Sequence, residues 1–178
     1  MQGTLEKAWG YQGDKMNLPV RDLAAALPFY ENVLGFSVLS RREAPHHSAV
    51  LARDQVEIGL AENGGDSAQD GCAFHVKSLE SLFAEFKANG LHKELSEFNI
   101  EKRDGVAWKV FYVVAPDGLC YWFGERHASD DPLFTTRDVK SSKCAEWTHL
   151  DDHRTNTAHE RAFPQLQDGA AAGARGAP

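Results

Sequence analysis

The sequence predicts an α+β fold built from one unit used twice, each copy a strand, a helix and three further strands. Three observations carry this prediction. The order of apolar periodicities repeats within residues 15–126, each helical stretch has a polar capping residue before it and a glycine after it, and the strand stretches alternate with period 2 between turn signals.

In the first unit, Met16, Leu18 and Val20 alternate with Lys15, Asn17 and Pro19, which predicts a strand over 15–20 with one apolar face. Asp22 caps a helix in which Leu23, Leu27, Tyr30 and Leu34 recur at helical spacing up to Gly35. Pro28 falls inside this helix, where its missing N–H and ring clash predict a bend. Strands over 36–40, 48–52 and 56–61 follow, closed by the Asn63-Gly64-Gly65 turn. The second unit opens with a strand over 72–76 that puts Cys72, Phe74 and Val76 on one face. Ser78 then caps a helix lined by Leu79, Leu82, Phe83 and Phe86 and ended by Asn89-Gly90. A weak strand over 94–98 and stronger ones over 106–114 and 119–123 complete it, the last following the Pro116-Asp117-Gly118 turn.

Composition narrows the class of protein. The chain has 178 residues, 42% of them hydrophobic and 25% charged, which suits one globular domain. Its 19 Lys and Arg against 26 Asp and Glu give a net charge of -7 with no basic concentration, so nucleic acid and anionic membrane are disfavoured as partners. No apolar run reaches the length of a membrane span. Cys72, Cys120 and Cys144 form no Cys-x-x-Cys pair, a usage that fits free thiols and a cytoplasmic location. Residues 1–14 read as an N-terminal extension and residues 127–167 as a C-terminal arm with sparse anchors Phe134, Trp147, Leu150 and Phe163. The Ala- and Gly-rich residues 168–178 read as a disordered tail.

The run Asn17-Leu18-Pro19-Val20-Arg21-Asp22-Leu23, followed by Phe29-Tyr30 and Leu34-Gly35-Phe36, resembles the opening of the vicinal oxygen chelate superfamily. That superfamily includes glyoxalases, bleomycin-resistance proteins, extradiol dioxygenases and fosfomycin-resistance enzymes. Ala115-Pro116-Asp117-Gly118 before an aromatic strand resembles its closing signature. The resemblance covers 15–126 and implies two βαβββ modules, about 15–62 and 71–126, whose strands curl into a barrel-like cup of mixed sheet with helices outside. It also implies a homodimer, because a second copy commonly completes such cups and covers open sheet edges.

Enzymes of the superfamily hold a divalent metal with His and Glu from the first and last strands of each module. Aligned on the motifs, the four positions here hold Lys15, Gly59, Gly71 and Trp122, none of which is a metal ligand, although a shift of two would bring Glu57 to the place of Gly59. A site rebuilt from His75 and Glu57 would need His46 or His47 to join it. In the tail, His149 and His153 stand four residues apart, but the Glu that metalloprotease chemistry requires directly after the first His is missing.

What the strands do supply is aromatic. Trp108, Phe111, Tyr112, Tyr121, Trp122 and Phe123 lie on the last two strands, where alternation sends about half of them to each face. Tyr121 and Phe123 are expected in the core and Trp122 in the cup. The expected ligand site is Trp122, Trp108 and Tyr112 with His75, Glu57, Asn17 and Lys15, with no metal and no cofactor, and it suits a planar or cationic small molecule. The pattern closest to this sequence is the metal-free bleomycin-resistance-like branch, so a binding protein is expected rather than a metal-dependent enzyme. Two alternatives stand beside it: a metal-dependent lyase, isomerase, transferase or dioxygenase using a rebuilt site, and a non-catalytic assembly protein whose cup its own side chains fill.

Overall fold

The computed structural model describes residues 3–92, 94–103 and 105–127. The expected arm, tail and His149–His153 pair lie outside the described residues. The elements are β1 (Thr4–Gly10), β2 (Leu18–Pro19), α1 (Leu23–Asn32), β3 (Ser37–Arg42), β4 (Ser48–Arg53) and β5 (Val56–Ala61), then β6 (Gly71–Lys77), α2 (Leu79–Ala88), β7 (Asn99–Arg103), β8 (Val106–Val114) and β9 (Cys120–Arg126). They form two open mixed sheets, ordered β2-β5-β4-β3 and β1-β6-β9-β8-β7. In each, the first strand of the repeat runs parallel to the last, β2 beside β5 and β6 beside β9, and the remaining pairings are antiparallel. The internal repeat is therefore real at the level of topology.

Several local expectations shift. The first strand of the repeat is cut to Leu18–Pro19, although the Lys15 carbonyl still accepts from Gly59 N–H at 2.9 Å. The N-terminal extension carries β1, which pairs antiparallel with β6 and was hidden because a bulge between Leu5 and Lys7 breaks the period-2 alternation. The weak strand expected over 94–98 is displaced to Asn99–Arg103, while Leu95 makes only an isolated bridge to Val113. Helix α1 runs through Pro28, with Asp22 accepting from Ala25 N–H at 2.9 Å as its cap.

Helix α2 is capped by a residue that its own sequence does not reveal. Ser78 stands at the N-cap position but its side chain makes no capping bond, and Glu125 of β9 instead accepts from Ser78 N–H at 2.9 Å and Leu79 N–H at 3.0 Å. Two charge-assisted bonds at the positive end of a helix make this contact the anchor between helix and sheet. Glu125→Ala is expected to lower stability by about 1 to 2 kcal/mol, read by urea denaturation, whereas Ser78→Ala should change it by less than about 0.5 kcal/mol.

Sheet register sorts the aromatic residues. Cys72, Phe74 and Val76 of β6, Phe111 and Val113 of β8, and Tyr121 and Phe123 of β9 join the large core that contains both helices. Phe123 stacks on Phe74 and Phe111 at 4.9 and 5.1 Å and meets Phe86 of α2 edge-on at 5.3 Å. Tyr30 of α1 donates its hydroxyl to Asp117 and shares a bond with the Tyr121 hydroxyl, both at 2.9 Å, tying the first helix to the closing turn. Burial raises the Asp117 carboxyl above its usual range. Cys72 is a buried free thiol, whereas Cys120 is disulfide-bonded, which corrects the expectation of free thiols at that position. Among the described residues, no helix is long and apolar enough to cross a membrane.

Candidate functional site

The face of the five-stranded sheet opposite the main core carries a second cluster. Register places Trp9 beside Ala73, Ala73 beside Trp122, and Trp122 beside Tyr112 across β1, β6, β9 and β8. Paired residues in neighbouring strands share a face, so alternation alone gathers Ala73, Val110, Tyr112, Cys120 and Trp122 here, with Trp9, Tyr11, Trp108 and Val114 packed against them. Trp108 meets Trp122 edge-on at 5.5 Å, and His75 meets Trp108 at 5.3 Å.

Trp122 fits because its neighbour has no side chain. The indole lies over Gly124, where any added Cβ would overlap the six-membered ring. The ring is only 2% exposed. Its Nε1–H donates to Glu101 Oε2 at 3.2 Å, and the Tyr112 hydroxyl donates to Glu101 Oε1. Arg103 donates to the same Oε2 through Nε at 3.1 Å and Nη2 at 2.9 Å, while its guanidinium sits 5.3 Å from the centre of the Trp122 ring. Burial lowers the Arg103 pKa, but the Glu101 charge, its hydrogen bond and the neighbouring Tyr112 and Tyr11 together raise it. Burial and the neighbouring Glu101 charge push the Tyr112 hydroxyl pKa up, so Tyr112 remains a donor.

Of the residues expected at the site, Trp122, Trp108, Tyr112 and His75 come together on this face. His75 pairs with Glu6 at 3.4 Å, and burial lowers its pKa. The others are placed elsewhere. Glu57 is solvent-exposed on β5 of the four-stranded sheet, Asn17 is exposed and its carbonyl accepts from Asn63, and Lys15 is half-buried in the segment entering β2. Sequence reasoning missed Glu101 and Arg103, which sit on a polar edge strand without an apolar alternation, and Trp9 and Tyr11, which fall in and just after the bulged β1. Separately, an open groove of about 650 Å³ lies by Val20, Arg21, Glu62, Gly64, Gly65, Asp66 and Ser67.

The divalent metal implied by the resemblance does not fit these residues. At Gly59 an added Cβ would overlap the Met16 carbonyl oxygen, and at Gly71 it would overlap that of Cys120, so neither position can project a ligand without opening its parallel strand pair. Trp122 offers an indole N–H that is already donated, and a Lys15 ammonium has no lone pair. His47, proposed for a rebuilt site, lies between Glu43 at 3.1 Å and Glu62 at 3.2 Å instead. Among the described residues no group of three or more His, Cys, Asp and Glu is arranged to hold a metal ion.

Comparison with known proteins agrees with the topology. A protein from the mobile metagenome of V. Pseudocholerae is 20% identical over 65% of this chain and 94% of its own, with a TM-score of 0.52. A bleomycin resistance determinant encoded on the transposon Tn5 is 21% identical over 64% of this chain and 96% of its own, with a TM-score of 0.51. An integron cassette protein from the mobile metagenome of V. Cholerae is 20% identical over 63% and 92%, with a TM-score of 0.50. At these identities the likeness is one of fold. No curated protein matches the sequence significantly. The model of the Glyoxalase/Bleomycin resistance protein/Dioxygenase superfamily matches residues 13–123, more than half of the chain. With the repeated strand order and the opening and closing motifs in place, the chain belongs to that superfamily.

Proposed function

We propose that this protein is a metal-free small-molecule-binding protein, in the manner of the bleomycin-resistance branch, and not a metal-dependent enzyme. The observation that carries the reading is the face built from Trp122, Trp108, Tyr112, Trp9 and Tyr11 around the Glu101 carboxylate. The half-buried Trp108, Trp9 and Tyr11 rings offer π surface, and a carboxylate on the same face selects for positive charge, so the ligand is planar or cationic. The net charge of -7 draws such a ligand in. The remaining candidates, Glu57, Asn17 and Lys15, belong to a second wall of the cup, which the four-stranded sheet of a second copy supplies in a homodimer.

Titration with a panel of planar aromatic cations, followed by tryptophan fluorescence and thermal shift, tests this. A ligand at 100 times its dissociation constant adds about 2.7 kcal/mol to stability. A panel without any shift would favour the second reading, for which the 2% exposure of Trp122 speaks: a face filled by its own side chains in an assembly protein.

Two outcomes follow for the molecule as a whole. Sedimentation at micromolar concentration should give a dimer, and a monomer would remove the second-copy wall. Elemental analysis after incubation with zinc, nickel, manganese and iron and gel filtration should find far less than one metal per chain. One equivalent, lost on His75→Ala, would overturn the metal-free reading.

A further inference from the structure

The outer layer of the aromatic face is an ion pair. Glu101 and Arg103 side chains are 20% and 21% exposed, above Trp122 and Tyr112, which are 2% and 7% exposed. Their i, i+2 spacing on β7 puts them side by side on one face of the strand. The Arg103 fork grips Glu101 Oε2 while its planar head lies near the Trp122 ring, and the carboxylate is held by the Trp122 N–H and the Tyr112 hydroxyl. A carboxylate held in place by two neutral donors, next to an indole face, is what recognition of a planar amidinium or guanidinium requires. Here the chain's own arginine takes that position.

We infer that Arg103 is a tethered occupant of the Glu101–Trp122 site, and that the site admits ligands carrying an amidinium or guanidinium head by displacing it. This rests on the proposed binding role of the aromatic face and adds the ligand's head group and the residue that guards it. Displacement is physically reasonable because, among the described residues, β7 is the five-residue edge strand of its sheet, bonded on one side to β8. Attachment to the same strand gives Arg103 a high effective concentration, and this lowers the apparent affinity of any free competitor by the fraction of time the site is open.

The test uses the full chain and benzamidinium as the probe, with neutral benzamide as its isostere, read by tryptophan fluorescence and by the Trp122 indole N–H resonance. Arg103→Met, which keeps the apolar stem and removes the fork, should bind benzamidinium at least tenfold more tightly than wild type, with no gain for benzamide. Adding Glu101→Gln to that variant should abolish the gain. Should Arg103→Met fail to fold, Arg103→Lys keeps the charge without the fork and should bind the probe several-fold more tightly than wild type. Equal affinity in wild type and the Arg103 variant, with the Trp122 resonance shifting in both, would overturn the tethered-occupant inference while leaving the binding role standing. No binding by either protein would remove the aromatic site as a receptor for planar cations, and this inference with it.

Discussion

Trp122→Ala is expected to cost about 3 to 5 kcal/mol of stability, the range for truncating a large aromatic residue in a packed interior. The sequence places this indole in a cup, where truncation would leave the fold intact. The structure packs it at 2% exposure between Trp108, Tyr112 and Gly124, with its N–H on Glu101, so removal leaves a void and takes one donor from a half-buried carboxylate. Trp122→Phe should recover more than half of the loss, since the ring remains and only the N–H and part of the surface are gone. Urea denaturation of the two variants measures the difference. A loss below about 1 kcal/mol for the alanine variant would show that the ring is dispensable to the fold.

The second large effect lies at Arg53, on the far side of the molecule's logic from any ligand. This guanidinium is buried at 7% exposure, donates to the Leu34 carbonyl after α1, and holds both carboxylate oxygens of Glu85 on α2 at 2.9 Å. It also lies 5.6 Å from the Phe86 ring centre. One side chain of β4 thus links the end of the first helix to the middle of the second. Arg53→Leu strands the Leu34 carbonyl and leaves Glu85, 27% exposed, without its partner. The expected cost is about 3 kcal/mol, at the low end for a buried pair broken from one side because Glu85 keeps some water. The double variant Arg53→Leu with Glu85→Leu should regain about half of that, because no unpaired charge is left. Additive losses in that cycle would show that the two residues do not act as a pair.

The fold was legible where periodicity and local chemistry agree. Leu23, Leu27 and Tyr30 line α1, and Leu79, Leu82 and Phe86 line α2, at the spacing the sequence shows. Asp22 caps as its type and position indicate. Tyr121 and Phe123 are in the core, as alternation after the Asp117-Gly118 turn requires. The same alternation sent Trp122, Tyr112 and Trp108 to one face. Glycines at positions 59 and 71 were visible as absent ligands, although nothing local revealed that neighbouring carbonyls leave no room for a side chain there.

By itself, the sequence determined the repeated unit, both helices, and which aromatic residues share a face, because these follow from periods of 3.6 and 2 along the chain. Only the tertiary structure decided which polar groups meet that face. Glu101 reaches Trp122 across β8, Glu125 caps a helix that begins 46 residues earlier, and Trp9 joins through a bulged strand. Each of these contacts depends on strand order and register, which bring together residues that no local pattern connects.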